Sequence, residues 1–487
     1  MSNFITNVLK LVSGSVTSQI LSILLVPIIT RIYSPDDFGI SQLFISVSGI
    51  LVIFSTFSYQ FAIMLPKSEE DSANVVSLCV ILVTFISLLT LIPVILIPDK
   101  IEQLLNAQGM SEYLIYLPAV IFLNGLFFVQ NYWLSRKVRF GVIAASRISN
   151  TLSTKIFQLA ISIWSISPFG LIAGYTAGYG IADLLMLKGA KQDLAVFKKV
   201  SIKKMKEMAV KYKNFPLFSS WSTLANTISP QVPTFILAYY YGTSVVGYFS
   251  LANQVVNMPM GIIGTAIGQV FFQKISEVKN GNSNGDMKII VEEVYKKLIS
   301  IGIFPMILLI ILGEEIFTFA FGASWSVSGT YVKILVPWIF LVFISSPIST
   351  LYSIFEKQGV WLTFSIILLI SRVAALAIGG TYGGSPEFSL TLFSFTGVIF
   401  WLWNNAYLLN LVGINKKESV EILIKYTMTG LIVSIPLILL EIFSANFYVI
   451  LLTAFIITPI YYGITLRDDP TFKKIFSSFL VNVKSKM

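Results

Sequence analysis

Long apolar runs separated by short polar connections make up most of the chain. Fourteen of them reach the roughly 20 residues that a helix needs to cross a hydrocarbon core. They are 6–30, 38–64, 73–97, 113–134, 142–165, 169–187, 215–240, 246–272, 290–312, 331–354, 359–379, 388–411, 420–440 and 446–465. No ladder of short alternating segments accompanies them, which argues against a β-barrel. The pattern predicts an all-α integral membrane protein with 14 transmembrane helices. The first run carries one early lysine, Lys10, and no small-residue cleavage site after a short apolar core. It reads as an uncleaved helix, not as a signal peptide.

The charges orient these spans. With the N-terminus placed in the cytoplasm, the even-numbered connections and the C-terminal tail lie inside and hold 26 basic residues. The outer connections hold three, Arg31, Lys100 and Lys333, against nine acids. A miscounted helix would invert this bias beyond it, and no inversion occurs. The expected placement is the cytoplasmic (inner) membrane, multi-pass, with both termini in the cytoplasm. Composition agrees: 55% of residues are hydrophobic and 12% are charged, where a soluble domain has about 25% charged. Histidine is absent and Cys79 is the only cysteine. Imidazole chemistry, internal disulfides and cysteine-based zinc or iron–sulfur sites are therefore excluded. No cofactor, metal or nucleic-acid partner is expected.

The longest hydrophilic break, 188–214, divides the first twelve spans into six and six. The halves echo each other: Arg31, Tyr33 and Gly39 correspond to Tyr239, Tyr241 and Gly247 at a constant offset of 208. Six spans per repeat make the repeats parallel, related by a pseudo-twofold axis along the membrane normal. The expected organisation is an N-terminal six-helix lobe at 1–187 and a basic cytoplasmic linker at 188–214. A C-terminal six-helix lobe follows at 215–412, then two extra helices and a basic tail at 413–487.

Short motifs in the same order carry a resemblance. They include Thr30-Arg31-Ile-Tyr-Ser-Pro35-Asp-Asp37-Phe38-Gly39 and Ala62-Ile-Met-Leu-Pro66-Lys67-Ser-Glu69-Glu70-Asp71-Ser-Ala-Asn74. Trp133-Leu-Ser-Arg136-Lys137 with Arg139-Phe140, Ser146-Arg147 and Tyr212-Lys213-Asn214-Phe215-Pro216-Leu217 follow. Gly247-Tyr248-Phe249, Gly268-Gln269-Val-Phe-Phe272, Pro337-Trp338 and Ser346-Pro347-Ile-Ser349 complete the series. Over about residues 20–350 the chain resembles the polysaccharide or O-antigen flippases of the Wzx type. Their superfamily also holds the peptidoglycan-precursor flippases and the multidrug and toxin extruders. The resemblance implies two six-helix lobes, alternating access, and export of lipid-linked oligosaccharides. It also implies working alongside the polymerase and glycosyltransferases of a surface-polysaccharide pathway.

No enzyme constellation is visible, and the outer connections are too small to hold one. The chemistry lies in basic residues within or beside the spans: Lys10, Arg147, Lys155, Arg372 and Lys425, against one acid, Asp183. Insertion scales put arginine or lysine at a helix centre at about 2.5–3.5 kcal/mol. Unpaired intramembrane positive charge points to an anionic ligand, and a lipid pyrophosphate is one whose oxygens arginine binds through paired hydrogen bonds. Arg31, Arg147, Lys155 and Arg372 are the candidate headgroup ligands. Competing readings stand beside them. Arg31 and Arg147 are near enough to helix ends to snorkel. Lys155 and Arg372 would otherwise bond helix-end carbonyls. Lys10 and Lys425 read as interfacial. Ser13 and Thr17 share a helix face with Arg31, either lining a cavity or packing helices. Asp183 is the candidate for ion coupling, or is structural near a helix end. The nine lysines between Lys188 and Lys213 follow the positive-inside rule, bind anionic membrane lipids or help gather substrate headgroups.

The leading expectation is thus a flippase for polyprenyl-pyrophosphate-linked oligosaccharides. The alternatives are a peptidoglycan-precursor flippase, an ion-coupled multidrug exporter of the same superfamily, and a non-transporting membrane scaffold. Cationic drugs want carboxylates or aromatics in the cavity and ion coupling usually wants a buried acid; the N-terminal lobe offers only Asp183, which weighs against the exporter reading.

Overall fold

A computed structural model describes residues 2–279, 286–443 and 445–465. The side chains of residues 2–12, Lys10 among them, and of 265, 266 and 269 lie outside the description, as does the basic tail beyond Thr465. Among the described residues fourteen helices have nineteen residues or more. They are α1 (Ser2–Thr30), α2 (Pro35–Thr56), α3 (Glu69–Leu89), α4 (Leu117–Arg136), α5 (Phe140–Ser162), α6 (Pro168–Ala190) and α7 (Ser220–Tyr241). The others are α8 (Thr243–Lys279), α9 (Met287–Phe321), α10 (Ser326–Ile348), α11 (Gln358–Ile378), α12 (Pro386–Asn410), α13 (Lys416–Ile442) and α14 (Phe447–Thr465). Each apolar run in the sequence falls on one of them. Eleven are long and apolar enough to cross a membrane, and the chain is a multi-pass membrane protein. The other three, α5, α7 and α8, are more polar. Arg147, Asn150, Lys155 and Gln158 lie on α5, Asn226 and Gln231 on α7, and Asn253, Gln254 and Asn257 on α8.

The helix starts follow their local sequence. Ser34 and Asp37 form a reciprocal capping box at the start of α2, with Ser34 N donating to Asp37 Oδ2 (2.9 Å) and Asp37 N to Ser34 Oγ (3.2 Å). Pro35 fills the first helical position, where its missing N–H costs nothing. Ser68, Ser385 and Asn415 cap α3, α12 and α13 more simply, each side-chain oxygen accepting from the backbone N–H three residues on.

By contacts the chain divides into two compact units. One holds Met1–Leu251 and Ala320–Trp325; the other holds Ala252–Phe319 and Ser326–Met487. The division falls inside α8, whereas the sequence suggested one at 188–214. The cause lies in how α7 and the first turns of α8 pack on α2. Ser46 Oγ donates to Gln231 Oε1 (2.8 Å), and Asp36 Oδ1 accepts from the Thr243 hydroxyl and from Ser244 Oγ (3.1 Å).

The glycines of the proposed repeat meet here. A Cβ on Gly39 would collide with the Thr243 carbonyl, and one on Gly247 would collide with the Pro35 carbonyl. Gly39 and Gly247 are 208 residues apart, and so are Pro35 and Thr243. The two contacts are therefore counterparts of each other at that offset. Trp325 is fully buried nearby. Its Nε1 donates to Thr30 O (2.7 Å), and its ring meets Phe38 edge-on at 4.8 Å.

In the second unit α12 packs against α10 and α11, and α13 against α14. Buried polar bonds add to this packing. Ser345 Oγ donates to Asn405 Oδ1 (2.9 Å) and Tyr352 Oη to Asn404 Oδ1 (2.7 Å). Tyr461 Oη donates to Ser300 O (3.1 Å), tying α14 to α9.

Candidate functional site

In the first unit, glycines set the site. Gly170, Gly174 and Gly178 recur every fourth residue on α6. A side chain at Gly174 or Gly178 would strike Asn150, Thr154 or Gln158 of α5. Gly14 of α1 admits Ala144 of α5 in the same manner. Small residues at this spacing let helix backbones approach closely, so α1, α5 and α6 hold their polar residues in one neighbourhood. There a cavity of about 280 Å³ is lined by Ser15, Ser18 and Gln19 of α1, Arg147, Asn150 and Thr151 of α5, Phe127 of α4 and Tyr179 of α6. Arg147 Nη1 donates to Ser15 Oγ at 2.5 Å. A guanidinium has five N–H donors, and this bond uses one. Ser18 Oγ and Asn150 Nδ2 are buried without a hydrogen-bond partner.

The other expected residues of this unit are not among those that line the cavity. Lys155 lies eight residues beyond Arg147 on α5, about 12 Å along the axis. Its Nζ donates to Gln158 Oε1 (3.2 Å), and Gln158 also receives Tyr33 Oη on its carbonyl (2.7 Å). Lys155 is thus bonded to a side-chain amide, not to helix-end carbonyls. Asp183 is buried on α6, one turn beyond Tyr179. Its Oδ1 accepts from Gln130 Nε2 (3.3 Å), and Oδ2 has no partner. Arg31 is exposed at the α1–α2 turn, sixteen residues, or about 24 Å of helix, from Ser15. Ser13 and Thr17 are both exposed. Their neighbours Ser15, Ser18 and Gln19, which the sequence reading did not single out, line the cavity instead.

In the second unit Arg372 sits fifteenth along α11. Its guanidinium carbon lies 4.4 Å from the centre of the Trp338 ring and 5.1 Å from that of Phe393. Those rings meet each other edge-on at 5.5 Å. Gly397 makes room for this wedge, since a Cβ there would press on Trp338 at 3.1 Å. Aromatic faces offer a cation electrostatic attraction but accept no conventional hydrogen bond. Arg372 Nε and Nη2 are buried with no hydrogen-bond partner, as is Trp338 Nε1. No carboxylate pairs with Arg372 among the described ion pairs.

A contrasting set of charges lies at the C-terminal end of α4. Arg139 grips the buried Asp193 with Nη1 at 2.9 Å from Oδ2 and Nη2 at 2.8 Å from Oδ1, and Trp133 Nε1 also donates to Oδ2 (3.0 Å). Arg136 donates to the carbonyls of Ile63 (3.3 Å), Met64 (3.1 Å), Pro66 (2.7 Å) and Ser68 (3.4 Å). Lys137 pairs with Glu69 at 2.5 Å. Phe215 packs its ring near Phe61. The motifs at 62–74, 133–140 and 212–217, far apart in sequence, thus converge on one end of the unit and are bonded to one another or packed on shared neighbours.

Comparison with known proteins follows the same lines. The succinoglycan biosynthesis transport protein ExoT of Rhizobium meliloti (strain 1021) is 22% identical over 393 residues, covering 77% of this chain and 76% of its own. The lipopolysaccharide biosynthesis protein WzxC of Escherichia coli (strain K12) is 24% identical over 174 residues, 34% of each chain. Among solved structures, a lipid II flippase MurJ in an inward closed conformation superposes with a TM-score of 0.69 at 19% identity, covering 94% of this chain and 99% of that one. The sequence signature described as polysaccharide biosynthesis protein spans residues 28–329, more than half of the sequence, and the chain belongs to that family.

Proposed function

We propose that this protein is a flippase, not an enzyme, that carries polyprenyl-pyrophosphate-linked oligosaccharide units from the inner to the outer leaflet by alternating access, for surface polysaccharide assembly. One observation carries the reading within this family: each unit holds an arginine on a membrane helix whose donors are not consumed by the protein. Arg372 has two buried N–H groups without partners, and Arg147 faces a polar cavity with one bond, to Ser15. A multiply charged diphosphate supplies the acceptors such groups lack. Lys155 and Arg31, at other depths, are secondary contacts. All fourteen long helices span the inner membrane with both termini in the cytoplasm, and the reciprocal Gly39 and Gly247 contacts support two parallel six-helix repeats. The sugar polymerase and glycosyltransferases of the pathway are the expected functional neighbours.

The direct test is reconstitution of the protein into vesicles holding a lipid-linked oligosaccharide. Headgroup accessibility to an impermeant lectin or hydrolase is then followed. Protein-dependent exposure of the diphosphate lipid, and not of a neutral prenol glycoside, is expected; equal movement of both would sink the headgroup assignment. For topology, a cysteine at Ser324 in a Cys79→Ser background should react with an impermeant thiol reagent in intact cells. One at Ser201 should react only after lysis. A second reading, ion coupling through the first unit, rests on the buried Asp183, and its test closes the Discussion.

A further inference from the structure

The basic segment between α6 and α7 presents an exposed face that the proposed headgroup site does not include. Helix Ile202–Lys211 turns Met205 and Met208 inward, where Met208 packs with Tyr59 and Trp133. Tyr59 Oη donates to Ala209 O (2.9 Å), and Ser201 N to Asn74 Oδ1 (3.0 Å), fixing that side. Lys199 and Lys204 pair with Glu70 at 2.6 Å and 3.4 Å. At 100° per residue the remaining side carries Ile202, Lys203, Lys206 and Val210. Ile202 and Val210 are 70% and 68% exposed. Lys203 and Lys206 are exposed between them and join none of the ion pairs among the described residues. A short distance on, where the chain turns into α7, Phe218 and Trp221 are 70% and 64% exposed.

A stripe that mixes aliphatic side chains with unpaired ammonium groups is poorly suited to water or to hydrocarbon. It fits the headgroup zone, where the carbon is buried and the ammonium meets lipid phosphate. Exposed Phe and Trp beside it match the aromatic belt at the same depth. The segment is tethered at both ends to long helices of the bundle, α6 and α7, so the membrane surface is within its reach.

We propose that Ile202, Lys203, Lys206 and Val210 form a docking surface for anionic bilayer phospholipid, with Phe218 and Trp221 as its interfacial anchors. The surface seats the amphipathic helix on the membrane, and Met205 and Met208 on its other side transmit that seating to the ends of α3 and α4. This inference stands on the helix alone and does not depend on the transport reading.

The test uses the full chain in lipid nanodiscs, with Cys79→Ser and Val210→Cys carrying an environment-sensitive fluorophore. Quenching by nitroxide-labelled phospholipid is compared with quenching by aqueous acrylamide, in zwitterionic discs and in discs containing phosphatidylglycerol. Lipid quenching should rise in the anionic discs and fall with added salt. Lys203→Gln and Lys206→Gln should shift the seated state by roughly fivefold each, from the surface attraction of about 1 kcal/mol per lysine. Equal quenching in the two disc types, or no response to the lysine changes, overturns the proposal. Shielding from acrylamide without lipid quenching also overturns it, because a protein would then cover the face. So does an effect seen only when a lipid-linked oligosaccharide is added to zwitterionic discs. A fluorophore at Ser324→Cys reports whether the fold is kept throughout.

Discussion

Two regions of this molecule hold buried charge in opposite ways. At the end of α4, Asp193 takes three hydrogen bonds from Arg139 and Trp133, and Arg136 spends its donors on four carbonyls. Along the spans, Arg372 has aromatic faces and no acceptor for two donors, and Arg147 has a single serine. Both regions bring charge into poorly solvated surroundings at a cost. Only the first offsets it from within the chain. The difference separates charge used to build the fold from charge held for something else. The first region also joins three segments that are distant in sequence.

Breaking the saturated region should have the largest effect. Asp193→Ala strands Arg139 and the Trp133 N–H in a buried setting, a loss of about 3 kcal/mol, toward the lower end for a broken buried pair because Arg139 keeps some exposure. The expected result is poor accumulation and a marked fall in the thermal midpoint of the detergent-solubilised protein. Wild-type accumulation and midpoint would mean the network is ornamental and that partner counting does not identify structural charge.

Arg372 tests the other pole. Its value lies in a fixed charge and a planar fork of donors. Removal should weaken headgroup binding by about 1.5–3 kcal/mol, or ten- to a hundred-fold. Arg372→Ala should accumulate normally, since removing a lone charge from a span does not oppose insertion, yet flip poorly. Arg372→Lys keeps the charge without the fork and should retain part of the activity. Flipping at the wild-type rate would remove Arg372 from the headgroup site. Failure to accumulate would show that the aromatic wedge is its whole purpose.

The comparison also marks how far the sequence could be read. Hydropathy located the long helices: eleven carry a membrane-length apolar stretch, and the more polar α5, α7 and α8 still stand out from the short connections. The offset of 208 pointed to Gly39 and Gly247, and the same offset relates Pro35 and Thr243, the residues that these glycines meet. Local pattern could not show which face of α1 lines the cavity: Ser13 and Thr17 are as polar as Ser15 and Ser18, and the choice is made by where Gly14 meets Ala144. Nor could it place Arg372 between Trp338 and Phe393, which come from two other helices. The Gly170, Gly174, Gly178 spacing was a readable sign that α5 and α6 close on each other, and it marks where the cavity forms.

Arg147 lies between the poles, with one partner, so its effect should be intermediate. Arg147→Gln keeps a donor for Ser15 and removes the charge. A loss of about 1.4 kcal/mol, roughly tenfold in headgroup affinity, is expected. The measurement is initial flipping rate against substrate density, read beside accumulation. An effect larger than that of Arg372→Ala would move the main anion contact into the first unit.

Asp183 should matter least, and it sharpens the comparison because it is the acid among these interior charges. It is buried on α6 with one oxygen bonded to Gln130 and the other without a partner, so by partner count alone it would be classed with Arg372. A diphosphate, however, gives a carboxylate nothing to bind, and apart from accepting a neutral donor such as a sugar hydroxyl, its use is to hold a proton or cation. Asp183→Asn preserves shape and leaves an amide oxygen for the Gln130 donor. If the residue is only a hydrogen-bond acceptor, the exchange alters one bond by about 0.5 kcal/mol, about twofold in rate. Flipping measured with and without an imposed proton or sodium gradient decides the matter. A twofold change that is the same under every gradient is the expected outcome. Abolished transport in a normally accumulating protein, or loss of a gradient response that the wild type shows, would make Asp183 the coupling site. Incomplete pairing would then mark two functions in this interior, anion binding by the arginines and ion coupling by the acid.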